Sequence, residues 1–290
     1  MSVALGSARS LLFVPGDRPD RFDKALAAGA DAVILDLEDA VAPDHKDSAR
    51  DAVVAWLTNT SAERAQRVEA TSPSVPVLVR INAAGTPQHD ADRAALAGIP
   101  ADRLTAVLLP KAEDPEQIRS IAEATGRPVL ALIETALGLH RAVEVAAEPA
   151  VTRLCLGHLD LAADLGCAPS RTAMLTARST LVLASRLADK PAPIDGVTPA
   201  LDDPAALTED IRHAVELGFT GKLLIHPRQV EPTHDALRPE PAELDWATRV
   251  LAADGTGAAR VDGVMVDAPV LTRARQLLAR ADPTGKGIRQ

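Results

Sequence analysis

Aromatic residues are scarce in this chain of 290 residues: they make up 2% of it, and Tyr is absent. The aromatic platforms on which many proteins stack single-stranded nucleic acids are therefore not available in number. An excess of basic residues is lacking too, since 31 Lys and Arg stand against 40 Asp and Glu and the formal net charge is −9. This balance argues against a basic nucleic-acid-binding surface, so we expect no nucleic-acid partner.

Cysteines and long apolar runs are also few. Cys155 and Cys167 are too few for a disulfide framework and lack zinc-site spacing, so we expect both to be reduced. No run approaches the roughly 18 apolar residues of a membrane span. Residues 1–9 lack the basic and apolar regions of a signal peptide. We therefore expect a soluble, cytoplasmic protein with no membrane partner.

The chain does contain eight short apolar runs, most of them followed by an Ala-rich amphipathic stretch. The runs are continuous rather than alternating, which is typical of parallel strands buried on both faces. Eight β-then-α units predict a closed (β/α)8 TIM barrel of the α/β class, with a doubly wound open sheet as the lesser alternative. The runs are residues 10–16, 32–38, 76–82, 106–111, 128–135, 153–157, 192–197 and 222–227.

The chain continues beyond the eighth run with two further amphipathic stretches, separated by a glycine-containing loop at residues 254–259. We predict two parts: a catalytic barrel over residues 1–230 and a C-terminal helical lid or arm over residues 231–290. Residues 282–290 are expected to fray.

Charged residues of both signs stand at the ends of six of the eight runs. In a barrel these ends converge on the C-terminal face, where barrel active sites lie. The pattern predicts a site for an anionic substrate and a cation. The polar residues concerned are Asp36, Glu38, Asp39, Arg80, Asn82, Lys111, Glu134, Asp160 and His226.

Glu134 and Asp160 are the strongest candidates for metal ligands. Glu134 ends the fifth run and Asp160 lies just past the sixth, so their carboxylates should lie close together. Two hard oxygen ligands fit Mg²⁺ rather than Zn²⁺, with Mn²⁺ as an alternative in the same site. The competing interpretation is that each carboxylate caps the helix that follows it.

Arg80 lies inside an apolar run, where a guanidinium is costly to bury without an anion. Two interpretations are open: Arg80 pairs with a structural carboxylate such as Asp36 or Glu38, or it binds a substrate carboxylate or carbonyl. His226 is either a general base or a residue held in place by its turn.

Several segments together resemble the citrate lyase β-subunit-like branch of the HpcH/HpaI aldolase superfamily. They occur in order over residues 9–280: RSLLFVPGDRPDRFDKA, DAVILDLEDAVAP, VRIN, LPKAE, IETALG, DLAADLG, GFTGKLLIHPRQ and VDGVMVDAP. The resemblance implies a TIM barrel and Mg²⁺-dependent carbon–carbon lyase chemistry. The implied substrates are hydroxyacyl-CoA thioesters of the malyl-, citramalyl- or citryl-CoA type, cleaved into a keto acid and an acyl-CoA.

By position, the resemblance implies that Glu134 and Asp160 are the Mg²⁺ ligands, with Glu134 also beside the substrate. It implies that Arg80 holds the substrate and polarises its thioester or keto-acid oxygen. Asp267 resembles the acid/base aspartate that, in lidded members, reaches the site from a neighbouring subunit.

The remaining implied positions surround that centre. Phe13, Arg18 and Lys24 match positions that contact CoA, and His226 matches a segment near the thioester in some relatives. Asp36 and Glu38 are candidates for positions just outside the metal ligands. Many relatives carry an acidic residue where this chain has Leu159, which leaves the substrate open.

The resemblance also implies a homo-oligomer, a trimer or a multiple of three. Two alternatives to a stand-alone CoA-ester lyase are open: a CoA-independent class II aldolase for a hydroxy-keto acid, and a citrate lyase β subunit that needs an acyl-carrier partner.

Overall fold

The computed structural model describes residues 2–58, 75–253 and 260–281. The chain divides into two compact units, Met1–Thr233 and His234–Gln290. The predicted loop at 254–259 and the tail at 282–290 lie outside the described residues. Across the described ranges, no helix combines the length and apolarity needed to cross a bilayer.

The first unit is a closed barrel of eight parallel strands, in which β1 pairs with both β2 and β8. The TIM-barrel prediction is confirmed, and the open-sheet alternative is wrong. Each predicted run overlaps one strand, although β6 and β8 begin two residues and one residue before their runs. The strands are β1 (Ser10–Pro15), β2 (Ala32–Asp36), β3 (Val77–Arg80), β4 (Ala106–Leu109), β5 (Val129–Ile133), β6 (Val151–Leu156), β7 (Ile194–Asp195) and β8 (Gly221–Leu224).

Helices connect the strands. They are α1 (Ser2–Ser7), α2 (Phe22–Leu26), α3 (Lys46–Thr58), α4 (His89–Leu96), α5 (Pro115–Thr125), α6 (Ala136–His140), α7 (Ala142–Ala147), α8 (His158–Asp164), α9 (Leu175–Leu187), α10 (Pro204–Leu217) and α11 (Val230–Leu237). Helix α10 illustrates how local sequence sets such bounds. The Asp203 side chain accepts from the backbone N–H of Ala206, Pro204 occupies the first turn, and Gly218 ends the helix with a φ of 106°.

The strands bury an aliphatic layer on each face, as the low aromatic content predicts. Residues facing into the barrel include Leu11, Ile34, Leu78, Leu108 and Leu130. The residues between them, such as Val33, Val79 and Val107, pack outward with the helices. This two-sided burial is the reason the runs read as continuous rather than alternating.

Arg153 ties α1 to the barrel interior. Its guanidinium donates to the carbonyl oxygens of Leu5 (3.2 Å), Ala8 (2.6 Å) and Ala192 (2.6 Å), and to Thr220 Oγ1 (2.7 Å). Arg153 is fully buried, and this burial lowers its pKa to about 10. All four hydrogen bonds of the buried guanidinium go to neutral oxygens.

The second unit contains α12 (Pro241–Ala252) and α13 (Ala268–Ala281). Their small and aliphatic side chains, among them Ala247, Val250, Ala274 and Leu277, form its core. Strands β9 (Arg260–Val261) and β10 (Val264–Met265) pair antiparallel within the same unit. This pair lies in the segment whose sequence resembles a lid.

We expect Arg153→Met to lower the free energy of unfolding by about 3 kcal/mol, because it removes the four buried hydrogen bonds of the guanidinium. Urea unfolding measures the change, with Arg186→Met on the exposed face of α9 as the matched control. Equal stability of the two variants would show that these hydrogen bonds contribute little.

Candidate active site

The alternation of side chains along the strands places three charged residues in the mouth of the barrel. Asp36 follows Ile34, Arg80 follows Leu78, and Glu134 follows Leu132, each two residues after an inward-facing side chain. Residues two apart lie on the same face of a strand. Asp36, Arg80 and Glu134 therefore face into the barrel at its C-terminal end and are buried there.

Arg80 is surrounded by carboxylates. Its Nε and Nη2 donate to the two oxygens of Asp36 at 2.7 and 2.6 Å, and its Nη1 donates to Asp39 at 3.2 Å. Glu38 Oε2 lies 2.9 Å from the same Nη1. Burial lowers the pKa of Arg80, but these carboxylates outweigh it and raise the pKa above its ordinary value. The structural pairing predicted for Arg80 is therefore present.

These hydrogen bonds leave part of the donor capacity of the guanidinium unused. The three hydrogen bonds occupy three of its five N–H groups. Within the described part of the chain, the other two carry no hydrogen bond. The side chain also stacks on Phe13, with Cζ 4.9 Å from the ring centroid. Arg80 is thus held rigidly and still has donors for a substrate oxygen.

The turn that carries these carboxylates is fixed by its own contacts. Lys46 Nζ donates to the carbonyl oxygens of Leu37 (2.8 Å) and Glu38 (2.6 Å). Gly16 is needed beneath the turn, because a Cβ there would lie 2.7 Å from the carbonyl oxygen of Asp36. The end of β2 and the turn after it therefore pack closely against Gly16, the residue that follows β1.

Glu134 is positioned from two neighbouring strands. The backbone N–H of Lys111 donates to its Oε1 at 3.0 Å. Gly157 provides the space on the other side, because a Cβ there would lie 2.4 Å from Oε2. Lys111 adopts a left-handed conformation, with a φ of 47°, while its ammonium donates to Glu38 at 3.1 Å. Such strain persists only where the surroundings fix the residue.

The site concentrates negative charge in a buried place. Burial, with the nearby charges of Glu38 and Asp160, raises the pKa of Glu134 to about 8. Burial also raises the pKa of Glu38, although Arg80 and Lys111 act against it. Lys111 Nζ lies 3.9 Å from Glu134 Oε1. The carboxylates therefore lack sufficient compensating charge from the protein.

The interpretation of Glu134 and Asp160 as helix caps is wrong. Thr135 caps α6, since its side chain accepts from the N–H of Gly138. Asp160 is the third residue of α8 rather than its cap, and it is exposed. Neither carboxylate caps the helix that follows it, so helix capping does not compete with metal binding at these residues.

The donor set fits a hard divalent cation. Glu38 Oε2 is buried and lies 2.9 Å from Arg80 Nη1, but it accepts no well-aligned hydrogen bond from the described residues, so it retains capacity for a further ligand or water. No cluster of three or more potential protein ligands occurs in the described ranges. Two carboxylates with open positions for water and substrate oxygens suit Mg²⁺, which keeps several waters.

A second buried group lies between the barrel wall and α9, and sequence reasoning missed it. Asp195 accepts from Arg178 Nε (2.9 Å) and Lys222 Nζ (2.8 Å), and these cations lower its pKa against the effect of burial. His158 is buried near this group, and burial lowers its pKa to about 4. His158 is therefore a packed, neutral imidazole. The only sequence signal was a charged residue inside each of two short apolar runs.

The other predicted residues are spread more widely. Arg18 lies in an exposed pair with Asp20, with two 3.0 Å hydrogen bonds, and Lys24 is exposed on α2. The imidazole of His226 accepts from the N–H of Arg228 at 3.1 Å, which agrees with a residue held by its turn.

Asp267 belongs to the second unit. There it is exposed and accepts from the N–H of Val270 at 3.0 Å, at the start of α13.

Comparison with known proteins now places the chain among its relatives. The profile of the HpcH/HpaI aldolase/citrate lyase family matches residues 9–227. The chain belongs to this family. The predicted family and the prediction that the chain is an enzyme are confirmed.

Three relatives of this HpcH/HpaI protein are informative. It is 37% identical over 283 residues to a (3S)-malyl-CoA thioesterase of Cereibacter sphaeroides, with 94% of each chain covered. It is 42% identical over 279 residues to a citrate lyase subunit beta-like protein of Mycobacterium tuberculosis, covering 93% of this chain and 94% of the relative. The crystal structure of M. tuberculosis CitE with magnesium, acetoacetate and coenzyme A matches with a TM-score of 0.80 at 40% identity, covering 95% and 99% of the two chains.

The raised pKa of Glu134 predicts a distinctive pH dependence for the metal-free protein. The folded chain holds this proton more tightly than the unfolded chain, so the free energy of unfolding should fall as the pH rises from about 4.5 to about 8. Glu134→Gln removes the titration and should be more stable than the wild type at pH 8 by roughly 1–4 kcal/mol.

Urea unfolding in the presence of a chelator at pH 5 and pH 8 measures this difference. Glu123→Gln, at an exposed position of α5, is the matched control. The same pH dependence in the wild type and Glu134→Gln would contradict the buried, protonated carboxyl group.

Proposed function

We propose that the protein is a Mg²⁺-dependent carbon–carbon lyase that cleaves a hydroxyacyl-CoA thioester into a keto acid and an acyl-CoA. The observation that supports this most is the placement of Arg80 and Glu134 together in the barrel mouth, with Asp160 close enough to raise the pKa of Glu134. One relative is a (3S)-malyl-CoA thioesterase, and the crystal structure of another holds magnesium, acetoacetate and coenzyme A. Malyl-, citramalyl- and citryl-CoA are the candidate substrates.

Glu134 and Asp160 would hold the metal, and Glu38 and Asp36 would lie just outside it. When bound, Mg²⁺ supplies Lewis-acid polarisation of substrate oxygens. Lys111 orients Glu134 through its backbone N–H and balances Glu38 through its ammonium.

The bond to be broken joins the carbinol carbon to the carbon α to the thioester. As the hydroxyl group gives its proton to solvent water, the carbinol becomes a keto group, and the electron pair of the broken carbon–carbon bond passes to the thioester as an enolate. The two N–H groups of Arg80 that carry no hydrogen bond would donate to the enolate oxygen. The pairing of Arg80 with Asp36 preorganises the guanidinium for that task.

The enolate carbon must then receive a proton, and we assign this step to Asp267. In the proposed enzyme, Asp267 acts from a neighbouring subunit of a homotrimer or a multiple of three, and residues 231–290 serve as the lid or arm. Phe13, Arg18, Lys24 and the segment at His226 would contact the CoA thioester. The proposed enzyme works in the cytoplasm, where its CoA esters occur.

A second activity is hydrolysis of the thioester, which the name of the C. sphaeroides relative favours. The same Arg80 could stabilise the oxyanion formed when water attacks the thioester carbonyl. Hydrolysis would release free CoA and a free hydroxy acid, whereas lyase cleavage would release an acyl-CoA and a keto acid. The identity of the products therefore separates the two activities.

The deciding experiment is an assay of the purified chain with Mg²⁺ and malyl-, citramalyl-, citryl- and 3-hydroxy-3-methylglutaryl-CoA. We expect chelator-sensitive release of a keto acid and an acyl-CoA, and loss of turnover in Glu134→Ala and Asp160→Ala. Full turnover in either variant would remove the metal assignment. Cleavage of a free hydroxy-keto acid would favour the CoA-independent aldolase, and activity only with an acyl-carrier protein would favour the β-subunit alternative.

Two further variants should separate the roles of Arg80 and Asp267. Arg80→Lys should raise the activation free energy derived from kcat/KM by about 3 kcal/mol, because a single ammonium cannot replace the guanidinium as an oxyanion donor.

Asp267→Asn should lower kcat but leave the dissociation constant of the CoA ester unchanged, since Asp267 is assigned to proton transfer alone. Steady-state kinetics and calorimetry measure both; near-normal kcat/KM in either variant would refute its assigned role.

A further inference from the structure

Asp164 lies in the last turn of α8 and contacts the turn that follows Glu134. Its Oδ2 accepts from the backbone N–H of Ala136 at 2.7 Å. Ala136 is the first residue of α6 and stands two residues after Glu134. A carboxylate on one helix therefore holds the beginning of another, immediately beside the candidate metal ligand.

Asp160 and Asp164 are four residues apart on α8, so their side chains lie on the same face of the helix. Asp160 is near enough to Glu134 to raise its pKa. Next to α8, the backbone N–H of Gly157 donates to the carbonyl oxygen of Ile133 at 2.9 Å. Residues 157–164 thus contact residues 133–136 at both ends: Gly157 bonds to Ile133, and Asp164 bonds to Ala136.

The other side of the same turn is fixed by a second carboxylate. Thr135 Oγ1 donates to Glu113 Oε1 at 2.6 Å and accepts from the N–H of Gly138. Gly138 allows close contact here, because a Cβ would lie 2.9 Å from the carbonyl oxygen of Ala112. The turn after Glu134 is therefore anchored to the loop after β4, while Asp164 anchors α8 to the turn.

We propose that Asp164 is a positioning residue for the candidate metal site: it fixes the separation of Asp160 from Glu134 by holding α8 against the turn that follows Glu134. This inference rests on the proposed function, because it takes Glu134 and Asp160 as the ligands. Asp164 itself acts through Ala136 and does not contact the metal. Outer groups that orient ligands commonly affect metal affinity.

The test is calorimetric titration of the wild type, Asp164→Ala and Asp164→Asn with Mg²⁺. We expect Asp164→Ala to weaken Mg²⁺ binding about tenfold. Asp164→Asn keeps an acceptor oxygen and should bind within about threefold of the wild type. Asp51→Ala, at an exposed position of α3, controls for loss of a surface carboxylate and should bind Mg²⁺ as the wild type does.

Two measurements separate positioning from general destabilisation. The melting temperature of Asp164→Ala should stay close to that of Asp51→Ala, and the KM for Mg²⁺ should rise while kcat at saturating Mg²⁺ changes little. Unchanged Mg²⁺ affinity in Asp164→Ala, or equal weakening in Asp164→Asn, would overturn the inference.

Glu134→Gln distinguishes failure of the inference from failure of the metal site. Loss of binding in Glu134→Gln with normal binding in Asp164→Ala overturns only the role of Asp164. Absence of Mg²⁺ binding by the wild type, or normal binding by Glu134→Gln, overturns the metal site and this inference together.

Discussion

The burial of like charges in the barrel mouth is the constraint on which the rest of the site depends. Glu38 and Glu134 are both buried, and Asp160 adds a third negative charge nearby. Burying a carboxylate is costly unless it is paired or neutralised. Arg80 and Lys111 supply two positive charges, and the pKa of Glu134 nevertheless stays high. The protein thus holds a site whose charge is completed by a proton or by a cation.

Rigid surroundings make that arrangement possible. Arg80 is held by Asp36 and by the ring of Phe13, while Glu134 is held by the backbone of Lys111. None of these groups comes from the same strand as its partner. The parallel barrel brings them together because its strand ends converge, and the apolar layers on both faces of each strand keep those ends in place.

The geometry also bears on which reaction the site supports. A rigid guanidinium beside a cation site can stabilise an enolate or a tetrahedral oxyanion, so the barrel mouth alone suits both lyase and thioesterase chemistry. The difference lies in which group delivers a proton or activates water. Asp267 is the candidate for that group in lyase chemistry. Under the proposed function, the two outcomes would therefore differ in whether Asp267 takes part.

Much of this protein was determined by its sequence alone. The eight continuous apolar runs indicated parallel strands buried on both faces and favoured a barrel over an open sheet. The positions of Arg80, Glu134 and Asp160 at or near run ends predicted which face of the barrel would carry the candidate site, and the motifs around them indicated the family. Local signals such as Asp203, Pro204 and Gly218 determined the bounds of a helix.

Only the tertiary structure decided how those residues are held. No sequence pattern indicated the left-handed conformation of Lys111 or the space that Gly157 leaves for Glu134. The contact of Asp164 with Ala136 joins two segments that are far apart in sequence. The sequence showed charged residues inside two apolar runs, but only the structure showed that Asp195 pairs with Arg178 and Lys222. The physical reason is that periodicity reports which face of an element is buried, whereas hydrogen-bond partners and pKa values depend on distances between elements.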